Sequence, residues 1–406
     1  MPIYRYIAKT LSGVPKEGSL GAKNEKDLAR VLRQEGYILI SAEEEKKKER
    51  TGMKISIPFL DRISLVDKIM FSRNLGVMVK AGISLPRALG VLSIQAKSKK
   101  FKKAINEISE EVTKGKNFSQ TLSGYPSIFS ELFCSMVKVG EESGTLEQVL
   151  QSLTEQMEKS HELKSKIKGA MIYPAVVISA MVAIGILMLA FIVPQLAKTF
   201  SDLQIQLPVT TRAVIKVGEF SSKFWYLIPL IVMGAVFLLR FLAKTRLGKR
   251  FLDKIFLKMP LISPIVVKTN SAYTVRNLSS LVSVGVPIVK SLELVSGSLS
   301  NIYYREAIKG VAEDIKKGAK MGEAFKKCQN IYPALVIQMI EVGEETGETV
   351  NILSKLAEFF EEEVSNQTKN LSTVIEPLLM IIVGIAVGFF AVSMLQPMYS
   401  MIEGMK

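Results

Sequence analysis

Histidine, cysteine and tryptophan are almost missing from this chain of 406 residues, which holds one His, two Cys and one Trp. The single histidine, His161, excludes a His-based metal cluster and any Ser/His/Asp or Cys/His arrangement. It sits in the charged run His161-Glu162-Leu163-Lys164 and reads as solvated helix. Cys134 and Cys328 lie far apart with no CxxC spacing, so neither a disulfide framework nor a zinc site is indicated. A nucleotide-binding loop is lacking too. Gly13-Val14-Pro15-Lys16-Glu17-Gly18-Ser19 has the glycine spacing but not the lysine that must follow, and reads as a hairpin turn. The N-terminus, MPIYRYIAKT, has no apolar core of signal-peptide length, so the first segment is expected to stay in the cytosol. Neither a cofactor nor a metal is expected, and the chain does not read as an enzyme.

Charge is absent from three stretches and crowded elsewhere. Hydrophobic residues make up 48% of the chain and charged ones 22%, a pairing that fits membrane spans joined by sizeable soluble parts. No charged residue falls between Lys168 and Lys198, from Phe224 to Leu239, or from Pro377 to Ile402. Each run meets the roughly 20 residues that a bilayer core requires, the second only marginally and with Arg240 snorkelling. None carries an ionisable group at membrane depth; Glu376 stands only at the entrance of the third, which argues against a pump or coupled transporter. The net charge of +15 favours an acidic contact, read here as the lipid surface beside positive cytoplasmic loops; no nucleic-acid partner is expected. Arg240, Lys244, Arg246, Lys249 and Arg250 mark the exit of the second run as cytoplasmic, which puts the N-terminus inside and the C-terminus outside.

An internal repeat supports that count. Shifting the chain by 203 positions lays Arg73-Asn74-Leu75 on Arg276-Asn277-Leu278, Gly82 on Gly285 and Lys114-Gly115 on Lys317-Gly318. The same shift lays Val139-Gly140-Glu141-Glu142-Ser143-Gly144 on Val342-Gly343-Glu344-Glu345-Thr346-Gly347, and Pro174 on Pro377. Two copies that each end in a span can face one way only if an unpaired crossing lies between them. The expected organisation is a small cytoplasmic α/β unit (1–42), a charged linker (43–60), a first helical repeat (61–168) and a first span (169–196). A short external loop (197–223), a second span (224–243), a second helical repeat (244–373), a third span (374–397) and an external tail (398–406) follow.

Within the α/β unit, Ile3–Thr10 and Val14–Leu20 alternate as strands around Ser12-Gly13. Asn24 is placed to cap a helix that Gly36 ends, before the strand Tyr37-Ile38-Leu39-Ile40. Each repeat reads as helix throughout: Leu85, Leu89 and Leu92 form a core stripe that Ile288, Leu292 and Val295 reproduce. Thr145 with Gln148 reads as a capping box that Glu348 and Asn351 do not match, so the two copies are not expected to be interchangeable in binding.

Paired helical domains with V-G-E-E-[ST]-G, each followed by a span headed by Tyr173-Pro174 or Glu376-Pro377, resemble the type II secretion F / type IV pilus platform family. Tyr4-Arg5-Tyr6-Ile7-Ala8 and the elements after it resemble that family's N-terminal domain. The resemblance implies a mostly α polytopic membrane protein with a six-helix bundle per repeat and three transmembrane helices. It also implies location in the bacterial inner membrane, self-association, docking onto a cytoplasmic hexameric ATPase, contact with other inner-membrane assembly proteins, and transfer of pilin or pseudopilin subunits. A permease or channel component is the alternative. Glu141-Glu142 and Glu344-Glu345 are the candidate partner contacts, because paired carboxylates at a helix C-terminus oppose the dipole and are not required by a turn alone.

Overall fold

A computed structural model describes residues 2–10, 15–44, 63–202, 209–224 and 227–404. It divides into two units, 1–62 and 63–406. The first unit holds strands β1 (Ile3–Thr10) and β2 (Pro15–Gly21), helix α1 (Glu25–Gln34) and strand β3 (Tyr37–Glu44). All pairing is antiparallel, in the order β2-β1-β3. The Asn24 side chain accepts the Asp27 amide at 2.9 Å, and Gly36 turns the chain at φ +81°, as the sequence predicts. Strand alternation sends Tyr6 and Ala8 inward against Leu28 and Leu32 of α1. Strand β3 continues two residues into the expected charged linker; from residue 45 that linker, like the Ser12-Gly13 turn, lies outside the described residues.

The second unit opens with six helices: α2 (Leu65–Lys80), α3 (Leu85–Gln95), α4 (Lys99–Thr113), α5 (Phe118–Ser123), α6 (Glu131–Ser143) and α7 (Leu146–Leu187). A π-helical turn (Met188–Ile192) joins α7 to α8 (Val193–Asp202), and α9 (Val209–Lys223), α10 (Leu227–Lys244) and α11 (Arg246–Lys258) lead to the second copy. That copy repeats the six: α12 (Ser263–Ser283), α13 (Ile288–Ser298), α14 (Ile302–Lys316), α15 (Met321–Lys326), α16 (Ala334–Thr346) and α17 (Thr349–Gly404). Helices stop where the sequence places glycine. Gly82, Gly115, Gly285 and Gly318 all adopt positive φ, a conformation that only glycine enters without cost. The Leu89, Leu92, Leu292 and Val295 stripes are buried in one continuous core that runs through both repeats.

Among the described residues, two helices are long and apolar enough to cross a membrane, 146–199 and 349–393. Only 11% and 6% of their most apolar windows are buried by the chain, whereas the core helix of a soluble protein would be covered on most sides. The second charge-free run forms α10, whose 18 residues hold exposed Leu230, Met233, Phe237 and Leu238.

Helices α7 and α17 run unbroken across the expected junctions at 168/169 and 373/374, through Pro174 and Pro377, and α17 continues helical to Gly404. The stretch 197–223 is not a simple loop, since it contains most of α8 and all of α9. Val214 and Ile215 of α9 pack on Val193, beside Leu189, Ala197 and Phe390. Gly218 permits that approach: a Cβ there would stand 2.6 Å from Val193 Cγ1 and 3.0 Å from the Leu189 carbonyl oxygen.

Candidate functional site

Each V-G-E-E-[ST]-G segment makes the corner between the fifth and sixth helix of its repeat. Gly144 and Gly347 take φ of +72° and +74°, which ends α6 and α16 and starts α7 and α17 at once. The preceding glycine has a different task. A Cβ on Gly140 would come within 2.7 Å of Val149 Cγ2 and 3.1 Å of Leu146 Cα; on Gly343 it would come within 3.2 Å of Thr349 Cα. The motif's first glycine lets the two helices cross closely, and its second turns the chain.

The four glutamates separate by position. Glu141 reaches back to the short helix α5, accepting the Phe118 amide at 2.6 Å, the Ser119 amide at 3.0 Å and the Ser119 hydroxyl at 2.7 Å. Glu344 does the same for α15, accepting the amides of Met321 and Gly322 at 2.8 and 2.9 Å. A helix N-terminus presents unpaired N–H groups and positive dipole charge, so a half-buried carboxylate there acts as a cap supplied from another helix. The first glutamate of each pair therefore has an internal role that the sequence did not disclose. Glu142 and Glu345 are exposed; Glu142 has a loose contact with Lys138 at 3.8 Å. The predicted capping box at Thr145 does not form. With Gly144 left-handed immediately before it, Thr145 sits at φ −103°, ψ 29° rather than extended, and its hydroxyl pairs with that of Ser143 at 2.7 Å.

At the heads of the spans, Tyr173 is exposed and Pro174 buried, whereas Glu376 and Pro377 are both exposed. The acidic corners and these prolines lie at opposite ends of the bundle part of α7 and α17, so the structure does not gather them into one site.

Where the repeats meet, α7 lies in the groove between α12 and α17. Ser152, Glu155 and Gln156 line a polar pocket with Arg276, Ser280 and Asn351, and Gln156 donates to Asn277 Oδ1 at 2.6 Å. Lower down, Lys159, Glu162 and Lys166 share a second, charged pocket with Glu358, Glu362 and Lys369. Residue numbers rise together on both sides, so α7 and α17 descend in parallel. Beneath this seam Arg276 holds Glu361 in a two-pronged pair, at 2.8 and 2.9 Å, with their side chains 7% and 15% exposed. Its repeat equivalent, Arg73 with Glu158, is present but 52% and 37% exposed.

The duplication is also what sequence comparison finds. The family described as type II secretion system protein F matches residues 71–194 and again 274–397, and its N-terminal domain matches 1–43. The chain belongs to the type II secretion system protein F family. The two matched copies differ by the same 203 positions that align the repeats. Among curated relatives, the type IV pilus assembly protein PilC of Thermus thermophilus is 33% identical over 99% of this chain and 98% of its own. That of Myxococcus xanthus is 30% identical over 98% of this chain and 94% of its own. The type II secretion system protein F of Xanthomonas campestris is 29% identical over 99% of both. Family members on both the pilus and the secretion side thus align along nearly the whole length.

Proposed function

We propose that the chain is the inner-membrane platform of a type IV pilus or type II secretion machine, coupling a cytoplasmic hexameric ATPase to the assembly of pilin or pseudopilin subunits. The observation that carries this reading, together with family membership, is the continuity of α7 and α17. Each is at once the sixth helix of a bundle and an apolar, uncovered segment. Force applied to either bundle is delivered to the bilayer without an intervening hinge loop. A permease would instead place polar groups along the uncovered faces, and these carry Val176, Val182, Ile184, Ile381 and Phe389.

In this reading α10 is a third crossing that returns the chain to the cytoplasm. Support comes from α11, which follows it directly. Its bundle side is fixed by Asp253, which accepts the Ile302 amide at 2.8 Å, and by Arg250 with Glu306 at 3.1 Å. Its other side exposes Leu247 and Phe251, 85% and 65%, beside Lys254 and Lys258. An amphipathic basic helix of that kind lies in the headgroup layer of an anionic membrane. Glu142 and Glu345, outward-facing at the two corners, are the carboxylates open to basic residues of the ATPase or of other inner-membrane assembly proteins.

Replacing Glu142 and Glu345 together by Lys is the direct test. Membrane insertion and thermal stability should stay normal while ATPase recruitment to membranes and filament formation fall sharply. Normal filament formation by a strain lacking this chain would overturn the platform reading itself. Impermeant thiol labelling of single cysteines should reach 209–223 but not 246–370 in intact cells.

A further inference from the structure

The two repeats do not contact each other symmetrically, and the asymmetry leaves two matching surfaces unused. Repeat one presents a ridge on α7, Ser152, Gln156, Lys159 and Leu163, to the groove of repeat two between α12 and α17. Shifted by 203 positions, the upper half of the ridge becomes Lys355 and Phe359 of α17, both exposed, with Phe359 at 45%; the lower half becomes Glu362 and Asn366, which already line the charged pocket shared with α7. The groove becomes the one between α2 and α7, which is open and lined by Arg73, Gly76, Val77, Lys80, Glu147 and Gln151.

The substitutions on the two unused surfaces are correlated. On α12 the covered face shows Thr269, Tyr273 and Ser280; on α2 the equivalent positions are Val66, Met70 and Val77, exposed at 46%, 50% and 62%. On the ridge, Gln156 becomes Phe359. Gln156 and Ser280 line one pocket, and their equivalents Phe359 and Val77 are both apolar, as they would be if they met, while Asn277 stays polar as Asn74. Lys355 stands where Ser152 stood and brings a cation toward the rim held by Glu147, which is already 3.0 Å from Lys80. Because α7 and α17 descend side by side in parallel, a second copy in the same bilayer offers its α17 in the orientation the groove accepts.

We propose that the α17 ridge of one copy docks into the α2/α7 groove of a second copy, repeating between chains the contact that joins the repeats within one chain. This is a head-to-tail contact, so copies linked through it close into a ring about the membrane normal or extend as a row. It deepens the platform reading by naming a self-contact, but its test reads contact between copies whether or not pilins are assembled.

The positions equivalent to the Gln156–Asn277 hydrogen bond are Phe359 and Asn74. Asn74→Cys and Phe359→Cys are introduced into separate, differently tagged full-length copies, co-expressed, and treated in native membranes with a short bis-maleimide; the parent chain with Cys134 and Cys328 is the control. The expected product is a mixed dimer carrying both tags. Phe359→Asp, offered to the Asn74→Cys copy and read through Lys355→Cys, should lower the cross-linked fraction about 10-fold or more, the ratio that losing burial of one phenyl ring implies. Adding Asn74→Arg to the groove copy, read through Val77→Cys, should restore it. Same-position dimers without the mixed product, or no product at all, would overturn the proposal.

Discussion

Helices α2 and α12 are the same helix by sequence register and opposites by environment. The first shows Val66, Met70, Arg73 and Val77 to its surroundings; the second has Arg276, Asn277 and Ser280 buried under α7. Duplication supplied both with an arginine paired to a glutamate of the sixth helix, and burial then gave the pairs different consequences. An exposed pair trades water for a partner of similar value, while a buried pair must replace all the water it gives up. The lesson is that a repeat fixes which residues touch within a copy, and packing between copies decides how much each touch matters.

The sharpest way to break that comparison is to remove each arginine. Arg276→Ala leaves Glu361 buried and unpaired and should cost about 3–5 kcal/mol, seen as a large fall in the unfolding midpoint of the full chain in detergent. Arg73→Ala should cost about 0–1 kcal/mol. Equal losses would mean the pairs are energetically alike despite their burial. Arg276→Met with Glu361→Leu should recover most of the loss, since well-packed apolar replacements of a buried pair are tolerated.

The corner glycines come next. Gly140→Ala drives a Cβ into the rigid Val149 side chain and the Leu146 backbone, and should cost about 1–3 kcal/mol. Gly343→Ala, whose new Cβ would meet Thr349 Cα at 3.2 Å and Ile352 Cβ at 3.5 Å, should cost less. Removing the capping carboxylates by Glu141→Ala or Glu344→Ala should each cost about 1–2 kcal/mol, against almost nothing for Glu142→Ala or Glu345→Ala. Denaturation midpoints of the four variants decide it; a matching loss at Glu142 would show that the second glutamate also has a structural role.

The smallest effect separates two helix starts. Ser64 forms a true capping box, accepting the Asp67 amide at 3.1 Å while Asp67 accepts the Ser64 amide at 3.0 Å. Ser64→Ala should cost about 1 kcal/mol. Thr145→Ala removes no cap and should shift the midpoint far less.

That last pair also shows what the sequence could and could not reveal. The repeat, the glycine stops, the Asn24 cap and the core stripes were legible because each depends on neighbours a few residues away. Thr145-Glu147-Gln148 has the spelling of a capping box, but a left-handed Gly144 at its door denies Thr145 the extended backbone that a cap requires. The task of Glu141 was hidden because its partners, Phe118 and Ser119, lie more than twenty positions earlier and are met only after the bundle closes. Helix α9 was mistaken for loop since Arg212, Lys216 and Lys223 made 197–223 look solvated, while its inward stripe of Val214, Ile215 and Gly218 is short. The pairing of α7 with the groove of repeat two had no local signature at all. Only the differences between the copies, such as Val77 against Ser280, hint at it.

Helix α17 spans 56 residues without a break, a contour of about 84 Å at 1.5 Å per residue. Mechanically it is a lever whose first part is gripped by the second bundle and whose remainder presents an uncovered apolar surface. The arm beyond Pro377 measures about 42 Å at 1.5 Å per residue, so a tilt of about 10° at the grip sweeps the far end through about 7 Å. Helix α7 is geared differently, because the π-helical turn at Met188–Ile192 interrupts its hydrogen-bond ladder beside the α9 brace. Neither shaft has an unbroken ladder, since α17 carries Pro377 and Pro397, each of which removes one helical hydrogen bond.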